Sequence, residues 1–425
     1  MKESIEDSIK VLLVGVDTGE EADFDRSMAE LKSLAQACEK QVTGIITQRM
    51  ESVNRAFYVG TGKVQEVRDY AKECGAEEII FDNALSPSQM RNLTEELDMP
   101  ILDRTQLILD IFAIRARTGE ARLQVEMARL QYMLPRLVGM HEDLSRQGGT
   151  GGSMSNKGAG EKKLELDRRK IEHRISELKK ELETVERSRE TQRKKRNASR
   201  IPQVALVGYT NAGKSTIMNR MLEEFGRTPG KQVLEKDMLF ATLETSVRSI
   251  EMEDGRPFFL VDTVGFIHKL PHGLVKAFRS TLEEVRYADL LVHVVDYSDE
   301  NYRQQMEITK ETLKELEIGD IPQIIVYNKS DRCQMERLPR VRKDDIHMAA
   351  GPGIGIRELA ELIRDKLYEH YRDCEFMLPY DQGRAASYLM EQAVVLEQEY
   401  QESGIYLKVR CHEQDAARYG RFLIS

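Results

Sequence analysis

Cysteine is scarce in this 425-residue chain and is never paired. The five thiols (Cys38, Cys74, Cys333, Cys374 and Cys411) are odd in number, scattered, and free of any CxxC spacing. That argues against a disulfide framework or a cysteine-based zinc site, and fits a reducing cytosol. Long apolar runs are missing as well, the longest being far too short to span a membrane. The opening residues, MKESIEDSIK, are polar and mixed in charge, so no signal peptide is expected there. A basic excess is also absent: 63 Lys/Arg stand against 72 Asp/Glu, a net charge of −9. The overall charge therefore does not announce a nucleic-acid partner, although its distribution is uneven. What remains is ordinary globular material. Forty per cent apolar residues support buried cores, and the length allows two to four domains.

Residues 1–117 alternate apolar strands with helical patterns. VLLVGV (11–16), QVTGIIT (41–47) and EEIIFD (77–82) read as strands, 25–37 and 63–74 as helices, and SPSQ (86–89) as a helix start. This predicts an α/β unit with a parallel sheet. Residues 118–197 change character. Leu123, Met127, Leu130, Leu134 and Leu137 recur at steps of four and three, as do Ile171, Ile175, Leu178, Leu182 and Val185, with Leu164 one heptad earlier. Two amphipathic helices with coiled-coil-like seams follow from that spacing, the first kinked or ended by Pro135. Between them SRQGGTGGSMSNKGAG (145–160) reads as a non-helical tip, which makes an antiparallel hairpin. A helix of about 25 residues would project that tip roughly 37 Å. Residues 161–200 hold fifteen Lys/Arg against nine Asp/Glu, densest at RKKR (193–196). This is either a solvated helix face and linker or a surface that neutralises nucleic-acid phosphates. Residues 198–372 form the next domain, with strands at 258–262, 290–296 and 323–327. Residues 373–425 read as a small α+β appendage, with one helix over 384–402 and one strand, IYLKVR (405–410).

The third segment carries the chemistry. GYTNAGKS (208–215) fits G-x-x-x-x-G-K-[ST], preceded by the apolar strand VALVG (204–208) and followed by a helix-compatible run. Backbone amides of such a loop cradle phosphates, Lys214 reaches the β/γ-phosphates, and the Ser215 hydroxyl ligates Mg²⁺. DTVG (262–265) and NKSD (328–331) follow in order. Asp262 at a strand end can hold Mg²⁺ through water, and the Gly265 N–H can approach the γ-phosphate. Asn328 and Lys329 would brace the base, and Asp331 would accept from guanine N1–H and N2–H₂. Adenine offers neither donor there, so GTP is the expected substrate. MAAGPGIG (348–355) stands where a base loop belongs, with the Ala350 N–H available to guanine O6 and Ala349 beside it. The first switch should supply a Mg²⁺-binding threonine, Thr242 in LFATLET (239–245), with Thr245 second. The expected nucleotide-contacting set is therefore Gly208, Tyr209, Thr210, Asn211, Ala212, Gly213, Lys214, Ser215, Thr216, Phe240, Ala241, Thr242, Asp262, Thr263, Val264, Gly265, Asn328, Lys329, Asp331, Ala349 and Ala350. Catalysis would rest on Lys214, Thr242 and Gly265, and the metal on Ser215 and Thr242.

One residue type is absent where it counts. The position after DTVG is Phe266, where many GTPases carry a water-orienting glutamine. An apolar side chain cannot align water, so intrinsic hydrolysis should be slow unless another group supplies positioning. A monovalent cation such as K⁺ near Asn211 is one option, and a partner is the other.

Nearly end to end, the chain resembles the HflX family of GTPases. FYVGTGKVQEV (57–67), SPSQMRNL (86–93), DRTQLILDIFAIRART (103–118), LQVEMARLQYMLPRL (123–137) and KLELDRRKIEHRI (163–175) match its signatures. So do GYTNAGKST, DMLFATLET, DTVGFIHKLPH and YDQGRAASYL (380–389). The resemblance implies an α/β multidomain fold: an N-terminal α/β subdomain with a long antiparallel helical hairpin, a Ras-like P-loop GTPase domain and a small C-terminal α+β domain. It implies a protein that binds the large ribosomal subunit and its rRNA; the composition adds a cytoplasmic location without a membrane span, and nothing in the sequence demands more than a monomer. In its GTP form such a protein splits 70S particles. Some family members also hydrolyse ATP or remodel rRNA. Other readings are a large-subunit assembly GTPase, an ATP-dependent RNA-remodelling factor, or a GTP-regulated scaffold with weak hydrolysis. The chain departs from the family at the tip, where GGTGGSMSNKGAGE replaces a compact GGGIGTRGPGE-like segment. Lys157 stands near the usual arginine, without its planar fork, and Ala159 replaces a proline. Ala349 replaces the customary serine of the base loop.

Overall fold

A computed structural model describes residues 8–19, 23–146, 154–199, 201–226, 240, 246–252, 257–269, 284–333, 335 and 337–424; for 138–146, 154–164, 190 and 192–199 the backbone alone is described. The first unit is a sheet of four parallel strands: β1 (Lys10–Asp17), β2 (Gln41–Arg49), β3 (Glu78–Phe81) and β4 (Ile101–Asp103), in the order β2-β1-β3-β4. Helices α1 (Phe24–Ala37), α2 (Thr61–Glu73), α3 (Pro87–Leu97) and α4 (Arg104–Arg115) connect and cover it. The run VLLVGV is apolar without alternation because β1 is buried on both faces. Val11 and Leu13 pack with Leu31 and Leu34 of α1 and Leu107, Ile111 and Phe112 of α4. Leu12 and Val14 pack with Val64 and Val67 of α2 and Leu93 of α3. Caps set the helix starts: Ser86 and Gln89 form a reciprocal capping box at α3, and the Asp103 carboxylate accepts from Gln106 N–H at α4.

The hairpin consists of α5 (Gly119–Arg146) and α6 (Met154–Ser199). At 1.5 Å per residue these run about 42 Å and about 69 Å. Arg174 grips Glu126 at 2.7 and 3.1 Å, and Arg189 meets Glu120 at 2.8 Å, an antiparallel register. On α6 the predicted seam is present, with Ile175 and Leu178 buried and Ile171, Leu182 and Val185 half-buried. On α5 the deepest residues lie on a different face: Ala121, Gln124, Val125 and Ala128, three of which join the core under α4. The Leu123, Met127, Leu130 and Leu134 row is only half-buried. Helix α5 thus serves two neighbours, and a single stripe does not describe it. Two expectations need correction. Of the two alternatives at Pro135, an end to the helix is excluded: the helix continues through this exposed residue, so water can satisfy the carbonyl that loses its donor. The stretch read as a tip is helical from Met154 onward. Its glycines cost about 1 kcal/mol each, but helix propagation from the KKLELDRRK run that follows outweighs them. Residues 147–153 lie outside the described residues.

The second unit is a seven-stranded sheet in the order β10-β11-β9-β8-β5-β7-β6. Its strands are β5 (Gln203–Gly208), β6 (Ser246–Ile250), β7 (Phe258–Asp262), β8 (Leu290–Asp296), β9 (Gln323–Asn328), β10 (Arg340–Val341) and β11 (Asp345–His347). The interior strands are parallel, and β6 and β10 are antiparallel edges. Helices α7 (Lys214–Phe225) and α9 (Ile356–Leu367) cover one face, and α8 (Tyr302–Glu315) the other. The chain ends in a three-stranded antiparallel sheet, β12-β14-β13, formed by β12 (Tyr371–Leu378), β13 (Val394–Gln401) and β14 (Gly404–His412). Helices α10 (Gly383–Gln392) and α11 (Glu413–Arg418) pack against it. The expected helix over 384–402 is therefore wrong in its second half. Residues 394–401 pair with β14 as an edge strand, and the strand opening this unit starts at Tyr371. Among the described residues no helix is long and apolar enough to cross a membrane.

Candidate functional site

The site forms where β5, buried at every position, turns into α7. Gly213 makes the turn at φ +98°, and a Cβ there would lie 2.2 Å from Asn328 Nδ2. Only glycine fits. The backbone N–H groups at the start of α7 provide a ready anion cradle. Lys214 is 6% exposed and donates to the carbonyls of Gly208 (3.0 Å) and Tyr209 (2.8 Å). Burial pulls its ammonium pKa down to about 8, partly opposed by Asp262.

Asp262, fully buried at the end of β7, accepts from the Ser215 hydroxyl at 2.6 Å. A hydroxyl and a carboxylate touching at the phosphate cradle are hard oxygen donors of the kind Mg²⁺ takes alongside phosphate oxygens. The pair therefore fits that ion. Among the described residues no cluster of three or more His, Cys, Asp or Glu exists that would hold a metal without phosphate. Thr263 is committed elsewhere, its hydroxyl donating to Leu206 O at 2.6 Å. Gly265 lies against the loop: a Cβ on it would meet Thr210 Cα at 2.7 Å and Lys214 Nζ at 2.9 Å. Phe266 is 2% exposed and packs with Val261, Val285 and Ala288. Its backbone zips onto the loop, with Phe266 N–H donating to Gly208 O (3.1 Å) and Thr210 N–H to Phe266 O (2.8 Å).

At the other end Asn328 donates to Ala212 O (2.8 Å), and Lys329 donates to Asn211 O and Asp296 Oδ2 (both 2.8 Å). The NKSD segment thereby holds the phosphate loop from behind. Asp331 is exposed, in the 3₁₀ turn Ser330–Arg332. The Ala350 N–H is donated to Asn328 Oδ1 at 2.9 Å, and the Ala349 N–H to Ile354 O at 3.0 Å. The expected Ala350 contact with guanine O6 would require sharing that bond. Asn211 is exposed at φ +60°, and Thr216 is half-buried one residue into the helix from Ser215. Ala241, Thr242 and Thr245 lie outside the described residues, so the switch threonine is not located. Phe240 is located: it is 2% exposed and stands edge-on to Phe112 of α4, ring centroids 4.8 Å apart.

That contact belongs to a feature the motifs do not reveal. Tyr209, Phe240, Val264 and Ile267 share one apolar cluster with α1, α4 and α5 of the first unit. Around it lies a buried charge network. Arg104 bonds Asp82 at 2.6 Å and pairs with Glu30, while Lys269 donates to Asp82 (2.6 Å), Asn83 (2.6 Å) and Ser27 (3.0 Å). Tyr209 donates its phenol proton to Glu30 and accepts from His268 N–H at 2.8 Å. Burial pushes the Glu30 carboxyl up against the opposing pull of Arg104. Asp82 is buried too, but Arg104 and Lys269 outweigh that and hold its carboxyl below the ordinary value. Asp82 follows β3 at the crevice between β1 and β3, the switch point where open α/β sheets commonly take ligands. Here Lys269 of the second unit fills it. The sequence signal was faint: Asp82, Arg104 and Lys269 are single charges beside apolar runs.

Comparison with known proteins agrees with this geometry. Residues 25–113 match the GTP-binding GTPase N-terminal family, 115–196 the GTP-binding GTPase middle region, and 203–329 the 50S ribosome-binding GTPase family. The GTPase HflX of Caldanaerobacter subterraneus is 41% identical over 425 residues, covering 100% of this chain and 96% of the relative. The chain belongs to the HflX GTPase family. The GTPase HflX of Escherichia coli is 38% identical over 390 residues, 90% of this chain and 89% of that one. The crystal structure of an SsGBP–GDP complex aligns with 26% identity and TM-score 0.46, over 85% of this chain and 98% of that chain. As an HflX GTPase the chain binds GTP and hydrolyses it to GDP and phosphate.

Proposed function

We propose that this HflX GTPase binds the large ribosomal subunit and its rRNA in the GTP state, that it splits 70S particles there, and that hydrolysis releases it. One observation carries the reading. The phosphate loop (Tyr209), the first switch (Phe240) and the 264–269 segment are packed into the same core that seats α5 of the hairpin. A change at the γ-phosphate position therefore has a continuous physical route to the hairpin. The basic end of α6 would grip rRNA phosphates, giving affinity with little sequence reading. The description of the matched nucleotide-domain family, a 50S ribosome-binding GTPase, supports the same partner.

Within the site we assign Lys214 and the α7 amides to the phosphates, Gly265 N–H to the γ-phosphate, and Asn328, Lys329 and Asp331 to the guanine. Ser215, with Thr242 from the first switch, would ligate Mg²⁺, and Asp262 would steady the Ser215 hydroxyl. The metal, when bound, supplies positive charge against the phosphate oxygens. A monovalent cation beside Asn211 belongs to the same proposal, because Phe266 offers no polar atom for water.

The partner is tested by co-sedimentation with isolated 50S subunits. Pelleting is expected with a non-hydrolysable GTP analogue and not with GDP, and it should weaken as salt rises. Deleting 148–160 should leave GTP binding intact and impair large-subunit function. Equal pelleting with GDP, or full function after the deletion, would contradict the reading.

Lys214 makes a pH prediction. With its pKa near 8 in the free protein, a polyphosphate that favours the charged amine raises that value. Below pH 8 the lysine is charged in both states and affinity is flat. Above it, binding must take up a proton, so affinity falls by up to about tenfold per pH unit. Nucleotide titrations between about pH 7 and about pH 9 measure this; a flat profile would show that the lysine keeps its proton throughout.

A further inference from the structure

Hydrolysis needs a polar group to hold the attacking water, and Phe266 cannot be it. Its side chain is 2% exposed within an apolar cluster. Four hydroxyls lie on the phosphate loop and the segment facing it. Ser215 bonds Asp262, Thr263 bonds Leu206 O, and Tyr209 bonds Glu30 while accepting from His268. The fourth, Thr210, is 6% exposed, and its Oγ1 is buried with no hydrogen-bond partner among the described residues. Leaving a buried hydroxyl unsatisfied is costly, so such a group calls for an explanation. Its place supplies one. The Thr210 N–H is fixed to Phe266 O at 2.8 Å. A Cβ on Gly265 would come within 2.9 Å of both Thr210 Cγ2 and Lys214 Nζ. Thr210 thus lies against the glycine assigned to the γ-phosphate, and that glycine also borders the lysine assigned to the phosphates.

We propose that Thr210 is a catalytic residue, whose hydroxyl accepts a hydrogen bond from the attacking water and donates one to a γ-phosphoryl oxygen. The water oxygen bonds to the γ-phosphorus. The bond from that phosphorus to the β–γ bridging oxygen breaks, and GDP leaves with the electron pair. One of the water's two protons passes to a phosphoryl oxygen and the other stays on the attacking oxygen, giving dihydrogen phosphate, and Thr210 keeps its own proton. This role concerns hydrolysis itself and holds whether or not the ribosome is the partner.

The test compares Thr210→Val, which keeps the shape, with Thr210→Ser, which keeps the hydroxyl, in the full chain. Single-turnover phosphate release measures the rate, and fluorescent-nucleotide titration measures affinity. Thr210→Val should hydrolyse GTP about 10²-fold more slowly with unchanged affinity for GDP, which lacks the γ-phosphoryl group, and Thr210→Ser should recover most of the rate. Three results would overturn the proposal: wild-type turnover by Thr210→Val, loss of GDP binding in parallel with its rate, or a serine variant as slow as the valine. The last two would assign Thr210 to packing.

Discussion

Lys214→Ala is expected to abolish GTP turnover and weaken nucleotide binding severely. The side chain is buried at the loop's centre and held by two carbonyls of that loop. Gly265 lies against its Nζ. Its charge acts in a site closed to water, where a positioned donor is worth far more than at the surface. Loss of one such donor costs about 10²–10³ in rate, and the lysine also contributes ground-state binding. Phosphate release and fluorescent-nucleotide titration measure both effects. The fold should survive, because β5 and α7 are anchored by Val204, Leu206, Ile217 and Met218, so an unchanged melting profile is the control. Normal turnover would refute the site assignment.

Asp331→Asn should move the preference from guanosine toward xanthosine triphosphate. The turn carrying Asp331 is braced, with Ser330 N–H on Met348 O at 3.1 Å and Ser330 Oγ on Tyr327 O at 2.8 Å. Replacing the carboxylate by an amide therefore changes chemistry without moving the position. A carboxylate accepts from N1–H and the 2-amino group, whereas an amide can donate to the 2-oxo group that xanthine has instead. A site built around a specific hydrogen bond rejects the mismatched base strongly, and the expected swing in relative affinity is about 10²-fold or more. In the protein alone Asp331 is exposed, so the mismatch penalty arises only once the bound base covers it. Competition between GTP and XTP for each variant gives the answer, and an unchanged ratio would remove Asp331 from base recognition.

Local pattern carried the reading where structure is local. VALVG–GYTNAGKS specifies β5, the loop and the start of α7, because strand, turn glycine and helix follow one another in the chain. DTVG and NKSD then land beside it, since each follows a parallel strand in the same sheet. The failures share a different cause. VVLEQEYQ (394–401) has strand formers at Val394, Val395 and Tyr400, but it runs on from a helical pattern without a Gly or Pro break. It is exposed at every position and is a strand only because β14 lies alongside. The buried face of α5 uses alanines and a valine, which a heptad count of leucines passes over. Glu30, Asp82, Arg104 and Lys269 are up to 239 positions apart in sequence and meet only because two units dock. The burial of Phe240 likewise depends on Phe112, far upstream.

The central claim is a nucleotide-switched act on the ribosome, and light scattering of purified 70S particles tests it most directly. With this protein and either GTP or a non-hydrolysable analogue, scattering should fall as subunits separate, and with GDP it should hold steady. A fall with the analogue would also show that hydrolysis serves release rather than splitting. Unchanged scattering with GTP and the analogue, while 50S subunits still co-sediment with the protein, would contradict splitting and point to subunit assembly instead.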